Sequence, residues 1–205
     1  HTRFRNVTGV QTCALPISAL PTLQATVTVA NPDDVGHPAL ANAEAWDEFL
    51  RIGEPTPELT VEPVPFDHPL WVVYTSGTTG LPKSIVHGHG GVVLELMKIT
   101  RLHLDLTPDD RFFWFTTTGW IMWNIVMGGL LIGATVVCYD GNPAYPSLDR
   151  IWDMAEQERI TYLGTSAAFL HTCIREGVDP AAGRSFAALR GLGTTGSPLS
   201  VERSE

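Results

Sequence analysis

From Leu70 onward the chain alternates between short continuous apolar runs and stretches whose apolar residues recur at helical spacing. Short, largely apolar runs of four to six residues predict strands over 70–74, 111–116, 135–139, 161–164 and 189–193. Between them the spacing predicts helices over 90–102, 123–132, 148–158 and 166–176. Strands that are apolar on both faces and alternate with helices of about ten residues point to an α/β fold. The expectation is a parallel-type sheet covered by helices. Helix-end signals agree, with Ser147 placed as an N-cap, Asp149 in the first turn after it, and Gly177 just past a helix end.

Ahead of this region the pattern is weaker. Residues 25–30 (ATVTVA) are β-like and precede a turn cluster, Asn31-Pro32-Asp33-Asp34. Ala43, Trp46, Phe49 and Leu50 fall at helical spacing and predict a helix over 41–52, followed by a proline-rich loop over 54–69. The first eighteen residues fit neither period. Arg3 and Arg5 precede an apolar patch, but Thr8, Gly9, Gln11 and Thr12 interrupt it, so it is no signal peptide. Residues 7–17, VTGVQTCALPI, instead resemble the translation of a short-read sequencing adapter, and residues 1–18 are set aside as an artefact.

Composition narrows the function classes. With 44% hydrophobic and 17% charged residues, the chain can bury a core and is not a charged disordered protein. Thirteen Lys+Arg against 22 Asp+Glu leave a net charge of −9, which opposes general nucleic-acid binding. The longest apolar stretch, 120–139, is broken by Asn124, Gly128, Gly129, Gly133 and Thr135 and ends in a strand pattern, so no membrane partner is expected. Cys13, Cys138 and Cys173 form an odd set without CxxC spacing, in keeping with a reducing, cytoplasmic setting. Cys138 and Cys173 read as inert thiols in apolar surroundings. His87 and His89 lack a third and fourth ligand nearby, so no metal site is assigned to them; they read as helix-entrance or nucleotide-site residues. Asp109, Asp110, Glu156 and Glu158 read as solvated charges, and Trp114, Trp123 and Trp152 as core.

The chemistry concentrates in residues 74–84, YTSGTTGLPKS. Glycines let main-chain N–H groups converge on an anion, hydroxyls add donors and Lys83 adds charge, which together make a phosphate cradle. The expected context is strand, loop, then helix. Pro82 stands where a GxxxxGK[ST] loop has its second glycine, so this is not that nucleotide-triphosphatase motif.

With hydroxyls, glycines, Pro82 and Lys83 in that order, TSGTTGLPK resembles the signature loop of the adenylate-forming enzymes, which include acyl-CoA synthetases, luciferases and peptide-synthetase adenylation domains. The segments FFWFTTTGWIMWN (112–124), GTSAAF (164–169) and GTTGSPLS (193–200) resemble the acetoacetyl-CoA synthetase branch more than the acetyl-CoA branch. The resemblance runs from about residue 41 to 205. It implies that Thr75, Ser76, Gly77, Thr78, Thr79, Gly80 and Lys83 hold the ATP phosphates, with Lys83 catalytic. It implies that Gly196, Ser197 and Pro198 lie along the adenine, and that Trp120, Ile121, Met122 and Thr195 line the acyl pocket. The implied substrates are ATP, a short acid such as acetoacetate, and CoA, with Mg2+ as cofactor. No nucleic acid or membrane is implied. On this reading residues 19–205 are a central part of the large adenylation domain. The magnesium acid, the ribose aspartate and the small C-terminal domain with its lysine then lie elsewhere, so the isolated chain is expected to be inactive. Open alternatives are another short-chain acyl-CoA synthetase, of acetyl or propionyl type, and a non-catalytic nucleotide-binding fragment.

Overall fold

The computed structural model describes residues 26–28, 43–52, 61–75 and 83–199. The adapter-like residues 1–18 lie outside that set. The chain divides into two compact units, His1–Glu62 and Pro63–Glu205. In the first, β1 (Thr26–Thr28) pairs in parallel with β2 (Ala43–Ala45), and α1 (Trp46–Ile52) follows directly. The predicted helix over 41–52 is thus half right. Ala43-Glu44-Ala45 joins a strand ladder, and the helix begins where Asp47 and Glu48 can occupy its first turn, at the positive end of its dipole.

The second unit opens with an antiparallel ribbon, β3 (Pro69–Tyr74) and β4 (Ser84–Gly88), followed by α2 (His89–Lys98) and a π-helical turn, Ile99–His103. Then come β5 (Arg111–Trp114), α3 (Met122–Gly128), a 3-10 turn (Gly129–Ile132), β6 (Thr135–Val137), α4 (Arg150–Gln157), β7 (Tyr162–Ser166), α5 (Ala167–Arg175) and β8 (Gly191–Thr195). The last four strands form one all-parallel sheet in the order β6-β5-β7-β8. The predicted α/β class holds.

Alternation along each strand divides the core in two. Phe112, Trp114, Val136 and Tyr162 face one side, where they pack with Leu106, Met122 and Val126. Phe113, Val137 and Leu163 face the other and pack on Ile151, Trp152, Met154 and Ala155 of α4 and Phe169, Leu170 and Cys173 of α5. Trp114 and Trp152 are core residues, as expected, and Trp123 is half-buried. Cys173 is buried, and burial pushes its thiol upward from its ordinary value; Cys138 is exposed, contrary to the apolar setting expected for it.

Two helix starts differ from expectation. Asp149, not Ser147, is the N-cap residue of α4; Ser147 Oγ accepts from Asp149 N–H (3.2 Å) and forms the turn leading in. Ser166, predicted inside a helix, is instead its cap, accepting from Phe169 N–H at 3.1 Å. Gly177 follows α5 as predicted. Its φ of +70° allows Gly177 N–H and Val178 N–H to close back onto Ile174 O and Cys173 O.

The largest departure concerns Asp110, expected in solvent. It is 5% exposed. Its carboxylate receives hydrogen bonds from Thr107 N–H (2.7 Å), Thr107 Oγ1 (2.9 Å) and Thr161 Oγ1 (2.6 Å), and an ion pair with Arg190 (2.7 Å). Arg190 N–H donates to Thr161 O, and Arg111 N–H to Thr161 Oγ1. The amino ends of β5, β7 and β8 are therefore tied through one carboxylate. Glu158 and Glu156 are also partnered, Glu158 with the Arg111 guanidinium (2.7 Å) and Glu156 with Ser185 N–H (2.6 Å). A charge is retained in such places when fixed donors surround it.

Burial alone pushes the Asp110 carboxyl upward, but the bonds from Arg190, Thr161 and Thr107 outweigh it and hold the group well below the usual carboxylate range. A folded-state value below that of the unfolded chain stabilises the fold at pH values above about 4, and the contribution is lost as pH falls through the acid range. Asp110→Asn should therefore cost on the order of 2 kcal/mol or more at pH 7. Urea unfolding should show the gap between variant and wild type narrowing below pH 4.

Candidate functional site

Strand order determines where this sheet can hold a ligand. From β5 the chain moves outward to β6, then returns past β5 to build β7 and β8 on the other side. The segments leaving the carboxyl ends of β5 and β7 therefore run apart, and that reversal is where open α/β sheets bind ligands.

Three segments leave these carboxyl ends. After β5, Phe115 N–H donates to Gly164 O (2.8 Å), and the chain then turns through Thr117 and Trp120 into α3. Trp120 is half-buried against the Phe112, Trp114 and Met122 cluster, Ile121 is 44% exposed, and Met122 lies inside the core. After β7, Ser166 caps α5. After β8, Thr195 is half-buried and pairs with Ser166, and Gly196 turns the chain at φ +92° into exposed Ser197 and Pro198. The predicted adenine and acyl segments thus leave the same edge of one sheet, on either side of β7.

Trp114 builds the floor of this region. Its indole lies across β7 and β8, so that a Cβ at Gly164 would overlap the ring and one at Gly193 would sit 2.6 Å from it. Trp114, Gly164 and Gly193 stand in register on three adjacent strands, and only glycine admits the ring. Sequence reading placed Trp114 in the core but missed this contact. The available signal was the pair of glycines, Gly164 and Gly193, each closing a predicted strand within the same Leu-Gly-Thr triplet.

The phosphate-loop candidates divide. Ser76, Gly77, Thr78, Thr79 and Gly80 lie outside the described residues. Thr75 and Lys83 lie within them, both exposed, at the open end of the β3–β4 ribbon. The predicted strand–loop–helix context is corrected here to strand–loop–strand. Ile85 and Val86 are β-branched and pair with Val73 and Val72, so β4 forms first and α2 starts only at His89. That helix terminus lies roughly 20 Å along the ribbon from Lys83, too far for its dipole to act at the loop. Positive charge at the loop base comes from Lys83.

The histidines secure the other end of the ribbon. His87 Nδ1 accepts from Trp71 Nε1–H (3.0 Å), and His89 Nδ1–H donates to His68 O (2.9 Å) at the helix entrance. Among the described residues no group of three or more His, Cys, Asp or Glu side chains is placed to hold a metal ion, and no helix is long and apolar enough to cross a membrane.

Comparison with known proteins agrees with this geometry. The family model described as AMP-binding enzyme matches residues 8–205. The chain is 44% identical over 144 residues to acetoacetyl-coenzyme A synthetase of Rhizobium meliloti (strain 1021), covering 70% of this chain and 22% of that protein. It is 39% identical over 169 residues to acetoacetyl-CoA synthetase of Xenopus tropicalis, covering 81% and 25%. The solved structure of acetoacetyl-CoA synthetase from Streptomyces lividans superposes with a TM-score of 0.77 at 46% identity, covering 93% of this chain and 29% of that one. The chain belongs to the AMP-binding enzyme family. It spans about a quarter of the length of the curated relatives it matches.

The Trp114 floor makes a sharp prediction for the two classes of glycine. Gly164→Ala should destabilise the chain by about 1–3 kcal/mol through overpacking. Gly91→Ala, in α2 with nothing within 4 Å of the added methyl, should instead stabilise it by about 0.5–1 kcal/mol. Urea denaturation midpoints of the two variants check both signs.

Proposed function

We propose that the full-length protein is an acid–thiol ligase of the acetoacetyl-CoA synthetase type, and that residues 19–205 are a central part of its large adenylation domain. A carboxylate oxygen of a short 3-oxo acid attacks the α-phosphorus of ATP, the bond to the β-phosphate oxygen breaks, and pyrophosphate leaves. The CoA sulfur then attacks the acyl carbonyl, loses its proton, and AMP departs. Such chemistry relies on positioning and on neutralising phosphate charge.

The observation that carries this reading is the placement of the Trp120 and Thr195–Pro198 segments at the carboxyl edge of one parallel sheet, across its switch point. The YTSGTTGLPKS segment and the names of the relatives support it further. Lys83 is assigned to the β- and γ-phosphates, with Thr75, Ser76, Gly77, Thr78, Thr79 and Gly80 as the rest of the cradle. Gly196, Ser197 and Pro198 are assigned to the adenine face. Trp120, with Ile121 and Thr195, is assigned to the acyl pocket, with Met122 acting from beneath through packing. Magnesium accompanies the triphosphate in this proposal; among the described residues no group of three or more His, Cys, Asp or Glu side chains is placed to hold it. We place the enzyme in the cytoplasm on its cysteine usage.

Two substitutions in the full-length enzyme test the assignments. Lys83→Ala should lower acetoacetate-dependent ATP–pyrophosphate exchange by roughly ten- to a thousandfold, as loss of one preorganised charge contact does. Trp120→Gly should shift preference toward longer acids by roughly fourfold per added methylene, measured as ratios of kcat/KM. Unchanged exchange in the first, or an unaltered chain-length profile in a folded second variant, contradicts the assignment concerned.

A further inference from the structure

Packing alone fixes the Trp114 indole. The residue is buried, and among the described residues its Nε1 finds no hydrogen-bond partner. A buried indole usually gives that N–H to an acceptor, which pins the ring. Here the ring rests instead on the main chain of two strands. A Cβ at Gly164 would come within 2.0 Å of it, and one at Gly193 within 2.6 Å. Beside it, Tyr162 lies over the next glycine of β8 in the same way, with a Cβ at Gly191 only 2.5 Å from that ring. Tyr162 is in turn held edge-on to Phe112. These rings are seated on sheet backbone, which yields little in a close-packed core. Trp114 shares its cluster with Met122, the first residue of α3, and with the half-buried Trp120 just before it.

We propose that Trp114 is a positioning residue for the acid: seated on Gly164 and Gly193, it sets the height of Trp120 and through it the size of acid accepted. This rests on the acyl-pocket role assigned to Trp120 above. With main chain on one side and Tyr162 beside it, a displaced indole moves toward the cluster that contains Trp120. A methyl added at Gly193 requires the ring to lift by about 1 Å to regain ordinary van der Waals separation. Close-packed groups pass such a change on rather than absorb it, so Trp120 is pushed outward and the pocket narrows. Replacing the indole by a smaller phenyl ring does the reverse and lets Trp120 settle. Discrimination between homologous acids turns on single methylenes, so displacements of this size register in it.

The test compares two acids on the full-length enzyme: acetoacetate and the 3-oxo acid one methylene longer. The quantity read is the ratio of kcat/KM for the longer acid to that for acetoacetate. A ratio cancels any loss common to both acids, so a merely structural role for Trp114 and Gly193 leaves it unmoved. Gly193→Ala should lower the ratio about three- to fourfold, and Trp114→Phe should raise it by a similar factor, the worth of one buried methylene. In the double variant the methyl fills space that the phenyl ring vacates, and the ratio should return close to the wild-type value. In a Trp120→Gly background, Trp114→Phe should add nothing.

An unmoved ratio in folded Trp114→Phe, shifts of the same sign in the two single variants, or a double variant that fails to return overturns the proposal. Trp114→Phe removes atoms rather than adding them, so it decides the matter even where Gly193→Ala does not fold. If Trp120→Gly shifts the ratio and the Trp114 and Gly193 variants do not, the positioning role alone fails. If Trp120→Gly itself leaves the ratio unaltered, the acyl-pocket reading of Trp120 fails and takes this one with it.

Discussion

A single buried carboxylate holds the parallel sheet in register. Asp110 lies just before β5, and the groups that neutralise it come from three places along the chain: Thr107 nearby, Thr161 before β7, and Arg190 before β8. The Thr107 contacts are local to the turn that leads into β5, whereas Thr161 and Arg190 reach Asp110 from 51 and 80 residues further along the chain. Removing water from a charge is costly, and the cost is offset only when all the donors arrive together. The arrangement therefore favours the one strand alignment that brings Thr161 and Arg190 to Asp110. Parallel strands far apart in sequence have no short turn to fix their register, so a charged anchor of this kind takes that role.

Above that anchor, the two faces of the sheet do different work. One face packs on α4 and α5 with large aliphatic and aromatic side chains. On the other, the side chain at the end of β5 is large, while its in-register neighbours on β7 and β8 are glycines, so Trp114 lies down over both. The same indole packs in one cluster with Trp120, which leads into α3.

Much of this was legible in the sequence, for identifiable reasons. The alternation of apolar runs with helical spacing located every strand of the parallel sheet within two residues, most distinctly for the largely buried central strands β5 and β7. The family was legible because the hydroxyls, glycines, Pro82 and Lys83 of residues 75–83 stand in one order, and the AMP-binding enzyme match agrees. Local periodicity failed where a partner decides the outcome. Ala43–Ala45 had a helical pattern yet found a strand partner in β1, and Ile85–Val86 became a strand because β3 lies alongside. Asp110 looked like any other aspartate, since nothing nearby in sequence announces an arginine eighty residues away. Residues 76–82 of the phosphate loop fall outside the described residues, so their assignment rests on sequence.

The electrostatic anchor and the candidate site occupy opposite ends of the same strands. Strands of four or five residues at about 3.3 Å each put roughly 15 Å between Asp110 and the turns that leave the carboxyl edge. Side chains at that separation, with no shared partner, contribute to stability almost independently. Residues around the Trp120 and Gly196 turns are consequently free to vary in size and polarity without loosening the register below them. A lineage carrying this sheet could explore new ligands at one end while its foundation at the other stayed unchanged.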